Sequence, residues 1–501
     1  MNKDIFVTTP IYYVNDKPHI GSAYTTLVCD SVSRMLKLMG HNVYFMTGTD
    51  EHGQKVEKAA LNAGKEPQSF VDEVSQHFRD LVSHMKISPS RFIRTTEPDH
   101  IKAAQALWKA IKDNGYIYLG SYDGWYAMRD EAFYAEDELV EGKAPTGAEV
   151  EWVSEPSYFF KLSAFQDKLL EHIQNNPDFI QPTSKHNEVV RFIEGGLKDL
   201  SISRTTFKWG IPVEEDPKHV MYVWLDALTN YLTVLGYPDK ESENFQKFWP
   251  NCIHFIGKDI LRFHAVYWPA FLMAAGLDVP QHVYAHGWWT NEGQKISKSL
   301  GNTIDPIALI DEFGIDAVRY YLLREVPLGN DGNFSKAGLV SRLNSDLANA
   351  YGNLVRRITS FIHVHCQGQV PQHSEFSEEE LTLFQKGVDL GQKANIFNIT
   401  HFIDDINQYV HFLNKYVDEM APWKLKNTNR ELMEHILYVA LEAIKRITIL
   451  YLPFIPIAAS KVLDALNIDD NHRLYENIDL YLTSGDIIQE IDILFQKKDM
   501  T

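Results

Sequence analysis

The sequence predicts an α/β parallel sheet, split by an inserted segment and followed by an all-α bundle. Three observations carry this: a strand–helix–strand opening, its resumption after about residue 215, and three- and four-residue apolar spacing beyond Ser335. "DIFVTTPIYYV" reads as a buried strand, "AYTTLVCDSVSRMLKLMG" as a helix closed by Gly40, and "NVYFMTGTDEHG" as a second strand ending in a polar turn. Such an opening starts a doubly wound sheet, whose ligands sit at the C-terminal ends of the strands. "PHIGS" and "TDEHG" both lie at such ends.

From Tyr116 to about residue 215 the character changes to short, strand-like pieces rich in aromatic and acidic residues, such as "YDGWYAMRDEAFY" and "EVEWVSEPSYFFKL". This segment is expected to rest on aromatic packing by Trp125, Tyr126, Phe133 and Trp152. The α/β pattern resumes with "HVMYVWLDALTNYLTVLGY", the strand "IHFIGKD", the helix "ILRFHAVYWPAFLMAAG" and the strand "HVYAHGWW" leading into a polar loop. Beyond that, Phe402, Ile406, Tyr409, Leu413, Val417 and Met420 recur on one helical face. The expected division is residues 1–115 and 216–335 as the two halves of a Rossmann-like domain, 116–215 as the insertion, and 336–501 as a helical domain.

The chain has 501 residues and is 45% hydrophobic, enough for two to four domains. No apolar run reaches the roughly 18 residues of a membrane span, and the N-terminus lacks a basic leader, so a soluble cytoplasmic protein is expected. Cys29, Cys252 and Cys366 are odd in number and contain no C-x-x-C pair, which argues against a disulfide framework and a cysteine zinc knuckle. A formal charge of −19 argues against nonspecific polyanion binding while leaving room for docking on local basic patches.

Two pieces point to phosphate chemistry. At the strand-to-helix turn holding His19 and Gly21, backbone N–H groups and the helix dipole favour an anion, glycine permits close approach, and an imidazole can donate to phosphate oxygens. By itself "HIG" is as readily a surface turn. "KISKS" places Lys295 and Lys298 in a loop that can close on a triphosphate and neutralise charge as pyrophosphate leaves. Alone, such a loop is usually only solvated. The order of the two pieces, on opposite halves of one sheet, makes the signal specific.

"HIGS" and "KISKS" resemble the two signatures of class I aminoacyl-tRNA synthetases. "FVTTPIYYVNDKPHIGSAYTT", "TGTDEHGQK", "DLSISRTTFKWGIPV", "YVWLDAL" and "FIGKDILRFH" are similar to the methionyl-tRNA synthetase family, and the likeness continues into the helical part. The resemblance implies ATP-dependent activation of L-methionine and its transfer to tRNA(Met), initiator tRNA included. It assigns catalytic or ATP-binding roles to His19, Gly21, Ser22, Gly257, Asp259, Lys295, Ser297 and Lys298. It gives Asp50 the methionine ammonium, and gives Ile11, Tyr13, Trp224, Ala227, Leu228, Tyr231, Ile260 and His264 the side-chain pocket. Trp224, Leu228 and Tyr231 have the spacing that plain core packing would also give, and His264 could equally be a core histidine. Asp259 could serve a ribose or cap the following helix.

The same resemblance makes 336–501 the anticodon-binding domain, with Asn353 and Arg357 one turn apart on "YGNLVRRI" and Trp423 as a stacking platform. A buried tryptophan and a solvated arginine would explain those residues as well. ATP with Mg²⁺ is implied, with no membrane partner and a monomer expected. Two departures stand out: Ser22 replaces the histidine that often ends the first signature, and residues 116–215 hold no cysteine, so no structural zinc is expected. Isoleucyl, valyl and leucyl relatives carry a larger editing insertion than about 100 residues allow. A catalytically silent RNA-binding relative is disfavoured by His19, Asp50 and Lys298.

Overall fold

The computed structural model describes residues 3–14, 17–129, 132–134, 136–291, 293–296 and 302–499. Lys298, Ser297 and the rest of the loop through 301 lie outside them, as do the side chains of Lys295 and Phe133.

Seven strands form one sheet. From one edge the order is Arg91–Arg94, Asn42–Asp50, Asp4–Thr8, Cys252–Gly257, His282–His286 and Ile180–Gln181, with Tyr12–Tyr13 added at the end of Asn42–Asp50. Every pairing is parallel, with Phe6 opposite Tyr44 on one side and Cys252 on the other. Helices cover both faces, which is why the central strands read as apolar runs rather than alternating ones. The strand order reverses between Asp4–Thr8 and Cys252–Gly257, so the crevice beyond their C-terminal ends is where a ligand is expected.

The helix Ile20–Leu38 follows the first strand and is buried along most of its length. His19 is its N-cap residue, in an extended conformation. The helix Val223–Thr233 is buried nearly all round, which explains its apolar composition.

Inside 116–215 an antiparallel sheet runs in the order Ala132–Tyr134, Ile117–Ala127, Glu151–Phe160, Leu200–Ser201. Trp125 lies opposite Trp152, the rings edge-on at 5.4 Å, though Trp152 stays 56% exposed. Ala127, Ala144 and Ala148 pack beneath Tyr134 and Val150. Part of this stretch returns to the main sheet: Ile180 and Gln181 pair with Val283 and Tyr284. The flanking helices Gln166–Asn175 and Thr183–Glu194 put Leu169, Ile173, Val189 and Ile193 into the core shared with Phe6 and Trp268. A two-residue strand has no period to read, so composition alone merged it with the insertion.

Packing does not break near residue 335. The helix Ile315–Arg324 is buried from Ile315 to Leu323, and one apolar core joins it to the helix Ile20–Leu38 and to the helices Ile399–Met420 and Arg430–Tyr451. A buried ion pair, Arg319 Nη2 to Asp30 at 2.7 Å, crosses this junction, and the same nitrogen donates to the Pro453 carbonyl. On Ile399–Met420 the predicted face is buried at Phe402, Ile406, Tyr409, Leu413 and Val417, whereas Met420 is exposed because the helix ends there and the chain turns at Ala421 in left-handed conformation. All three cysteines are free and buried. Among the described residues no helix is long and apolar enough to cross a membrane, and no group of three or more His, Cys, Asp or Glu side chains is placed to hold a metal ion.

Candidate active site

A cavity of ≈ 700 Å³ opens at the C-terminal ends of the parallel strands. Its lining includes Ile11, Tyr13, Asp50, Trp224, Ala227, Leu228, Tyr231, Ile260 and His264, together with His19, Gly21, Ser22, Gly257 and Asp259. The structure therefore brings every sequence-predicted methionine-site residue into one space with the first signature. From the second signature, Ile296 reaches the same lining.

Asp50 ends its strand with its side chain buried. Such a carboxylate, facing a cavity in a low-dielectric setting, suits a charge-assisted bond to an ammonium group. Across the cavity, Trp224 stacks on Phe263 with ring centroids 3.5 Å apart. Tyr231 and His264 are each 1% exposed, so neither is a surface residue that happens to border a cleft. The His264 Nδ1–H donates to the Ile260 carbonyl at 3.0 Å, which leaves Nε2 to accept the Tyr231 hydroxyl proton at 2.8 Å. Burial lowers His264 to about 4, so the ring is neutral at pH 7. Burial pushes the Tyr231 hydroxyl well above its ordinary value.

The first signature is organised differently from its sequence reading. The Gly21 N–H donates to His19 Nδ1 at 3.0 Å, so the neutral ring carries its proton on Nε2, and burial lowers its pKa. A Cβ at Gly21 would stand 2.8 Å from His19 Cε1. Glycine is thus needed here to let the imidazole fold back over the helix start. The Ser22 hydroxyl donates to the His19 carbonyl at 2.9 Å and accepts from the His19 N–H at 3.2 Å. It is engaged with the backbone at the helix start.

Asp259 does not cap the following helix; the Trp288 indole N–H donates to it at 3.2 Å. A Cβ at Gly257 would meet the Asp259 carboxylate at 2.7 Å, so this glycine also serves a close approach. Sequence reasoning missed His286 and Trp288, both in the lining. His286 Nδ1–H donates to the Gly287 carbonyl, and Nε2 stands 2.8 Å from Thr25 Oγ1. The end of the strand His282–His286 was the available signal, by the same rule that found "PHIGS".

Far along the chain, Arg357 and Trp423 come together: the guanidinium lies 5.2 Å from the indole ring and donates to Asp418 at 2.9 Å. Asn353 is exposed at the start of the helix Asn353–His365, and Trp423 is half-buried.

A parallel sheet with its crevice at the strand order reversal, a helix start carrying His19 and Gly21 at that crevice, and a helical bundle after it agree with the class I tRNA synthetases. The chain matches the family described as tRNA synthetases class I (M) over residues 5–151 and 146–359, and the anticodon binding domain of methionyl tRNA ligase over 392–500. It belongs to the methionyl-tRNA synthetase family. It is similar to methionine–tRNA ligases of Rickettsia conorii, 53% identical over 99% of this chain and 100% of the other, and of Rickettsia bellii, 54% identical over 99% of both. Among solved structures it is similar to Mycobacterium tuberculosis methionyl-tRNA synthetase in complex with methionyl-adenylate, with a TM-score of 0.96 and 44% identity over 98% of this chain and 99% of that one. The apo form of that enzyme gives a TM-score of 0.90 at 40% identity, over 100% of this chain and 99% of that one.

Proposed function

We propose that this chain, a member of a family of methionine–tRNA ligases, divides its two half-reactions among the residues as follows. Asp50 takes the ammonium of L-methionine, and Ile11, Tyr13, Trp224, Ala227, Leu228, Tyr231, Ile260 and His264 surround its side chain, with the thioether against aromatic surface. ATP enters as substrate with Mg²⁺, its adenosine against Gly257 and Asp259 and its phosphates toward His19 and the helix start. The methionine carboxylate attacks the α-phosphate in line, and pyrophosphate leaves.

The His19 Nε2–H, left as the donor because Nδ1 is taken, bonds phosphate oxygens as charge builds on them. Lys295 and Lys298 neutralise the leaving pyrophosphate, with Ser297 beside them. These groups act by positioning and charge stabilisation, since the substrates supply both nucleophile and leaving group. Ser22 acts through His19. The bound methionyl-adenylate then acylates the 3′ end of tRNA(Met), initiator or elongator, whose anticodon is read by Asn353, Arg357 and Trp423.

The observation that carries this reading is the convergence of all nine methionine-site residues with His19 and Gly21 on one cavity at the switch point of the sheet. ATP–pyrophosphate exchange over a panel of amino acids tests it: methionine alone is expected to support fast exchange, and equal exchange with leucine or isoleucine would overturn it. The working form is a cytoplasmic monomer without structural zinc. Elemental analysis showing stoichiometric zinc would refute the last point.

A further inference from the structure

The turn that presents Asp50 holds three ionisable side chains in a row, Asp50, Glu51 and His52, at 6%, 0% and 6% exposure. Burying three such groups is costly unless each is partnered. Glu51 is tied to the sheet edge by Arg94 at 2.7 and 3.0 Å. His52 leads the other way: its Nδ1 stands 2.7 Å from Oδ2 of Asp226. The second carboxylate oxygen of Asp226 lies 2.8 Å from Nε2 of His100, on the helix Pro98–Asp113. The far nitrogen of that ring, Nδ1, is 3.1 Å from Thr233 Oγ1. Burial would raise the Asp226 carboxyl, but His52 and His100 together outweigh it and hold it at about 2. Asp226 is 0% exposed and does not line the cavity.

Asp226 belongs to the helix Val223–Thr233, which also carries Trp224, Ala227, Leu228 and Tyr231. One face of that helix walls the cavity. The other is fastened by this carboxylate to the turn that carries Asp50. A buried polar network contributes little net stability compared with apolar packing of the same volume, so its presence here points to a geometric purpose.

We propose that Asp226 is a positioning residue which, through His52 and His100, sets the spacing between the Asp50 carboxylate and the side-chain wall, and so the length of amino-acid side chain the site accepts. The idea rests on Asp50 being the partner of the substrate ammonium.

The test is pyrophosphate-exchange kinetics on the full chain with methionine, norleucine and leucine, alongside melting temperatures. His52→Ala removes one donor and is expected to raise KM for methionine about 10- to 100-fold while KM for ATP is unchanged and discrimination against leucine narrows. His52→Asn, whose amide N–H takes the place of Nδ1–H, is expected to restore KM to within about threefold of the parent. His100→Ala carries the same prediction with a smaller shift and serves if His52→Ala does not fold.

A folded His52→Ala or His100→Ala with an unchanged KM for methionine overturns the proposal. So does a rise in both KM values in parallel, which a purely structural network would give. Asp50→Ala in the same series separates the two layers: if it retains methionine binding, the assignment of Asp50 fails; if it loses binding while His52→Ala does not, only the positioning role fails.

Discussion

The cavity and the Arg357–Trp423 cluster both present polar groups, but they hold them in opposite ways. In the cavity Tyr231, His264 and Asp50 are buried, and the Tyr231–His264 pair is fixed by a chain of hydrogen bonds ending on a backbone carbonyl. In the bundle Asn353 is exposed, the Arg357 side chain is 31% exposed, and one ion pair to an open Asp418 holds it over the indole. Buried groups fixed in advance can hold a bound substrate without reorganisation, the role proposed for the cavity. Base recognition draws on stacking and hydrogen-bonded edges, which tolerate side chains that settle on contact. The difference in burial fits the tasks proposed for the two regions, a buried substrate pocket and an exposed face that meets tRNA.

The largest effect tests the role proposed for the second signature. Lys298→Ala is expected to lower the pyrophosphate-exchange rate by ~10²–10³ with methionine affinity nearly unchanged. Parent-like exchange would remove the loop from the reaction.

Next comes the pH dependence of the buried Tyr231–His264 pair. In the fold His264 takes up a proton only near pH 4, whereas unfolded it does so near its ordinary value of 6.5. The unfolded chain thus binds the extra proton between these values, and stability is lost as pH falls from 6.5 toward 4, by up to about 1.4 kcal/mol per unit for this group. Denaturant melts at several pH values should show a shallower slope, by one proton, for His264→Gln. An unchanged slope would mean the ring titrates normally.

The open site gives a smaller number. Trp423→Ala should cost ~1–3 kcal/mol in tRNA recognition while exchange is untouched, the range for one base stacked on an aromatic ring. Because Trp423 packs partly on the apolar core that continues beneath the bundle, some fall in melting temperature is expected too. Equal loss in exchange and charging, with ~3–5 kcal/mol of folding stability gone, would make it a core residue instead.

Tyr231→Phe removes one hydroxyl and leaves His264 Nε2 without its donor. KM for methionine is expected to rise by the ~0.5–1.5 kcal/mol of a single hydrogen bond, read by exchange kinetics. Smallest of all is Ser22→Ala, which loses two backbone contacts around His19. It should reduce the exchange rate less than His19→Ala does, and a larger loss would mean that Ser22 itself meets the nucleotide.

Much of this was legible in the linear sequence. Apolar runs and helical periods mark the strands and helices because burial acts locally along a chain, and the rule that ligands gather at strand ends located His19 and Asp50 without coordinates. The resemblance supplied the remaining pocket residues, and the fold gathers them. The tertiary structure alone decided what depends on residues distant in sequence. His52 meets Asp226 across 174 positions, and Arg319 meets Ser31 across 288. Ile180–Gln181 finds its place as an edge strand only because His282–His286 is there to pair with it. Even within one turn, the His19 ring folds onto Gly21 because the Gly21 N–H donates to Nδ1 and no Cβ stands in the way, a choice the pattern of residues leaves open. Periodicity records which face a residue shows to the core; it carries no signal for which partner waits there.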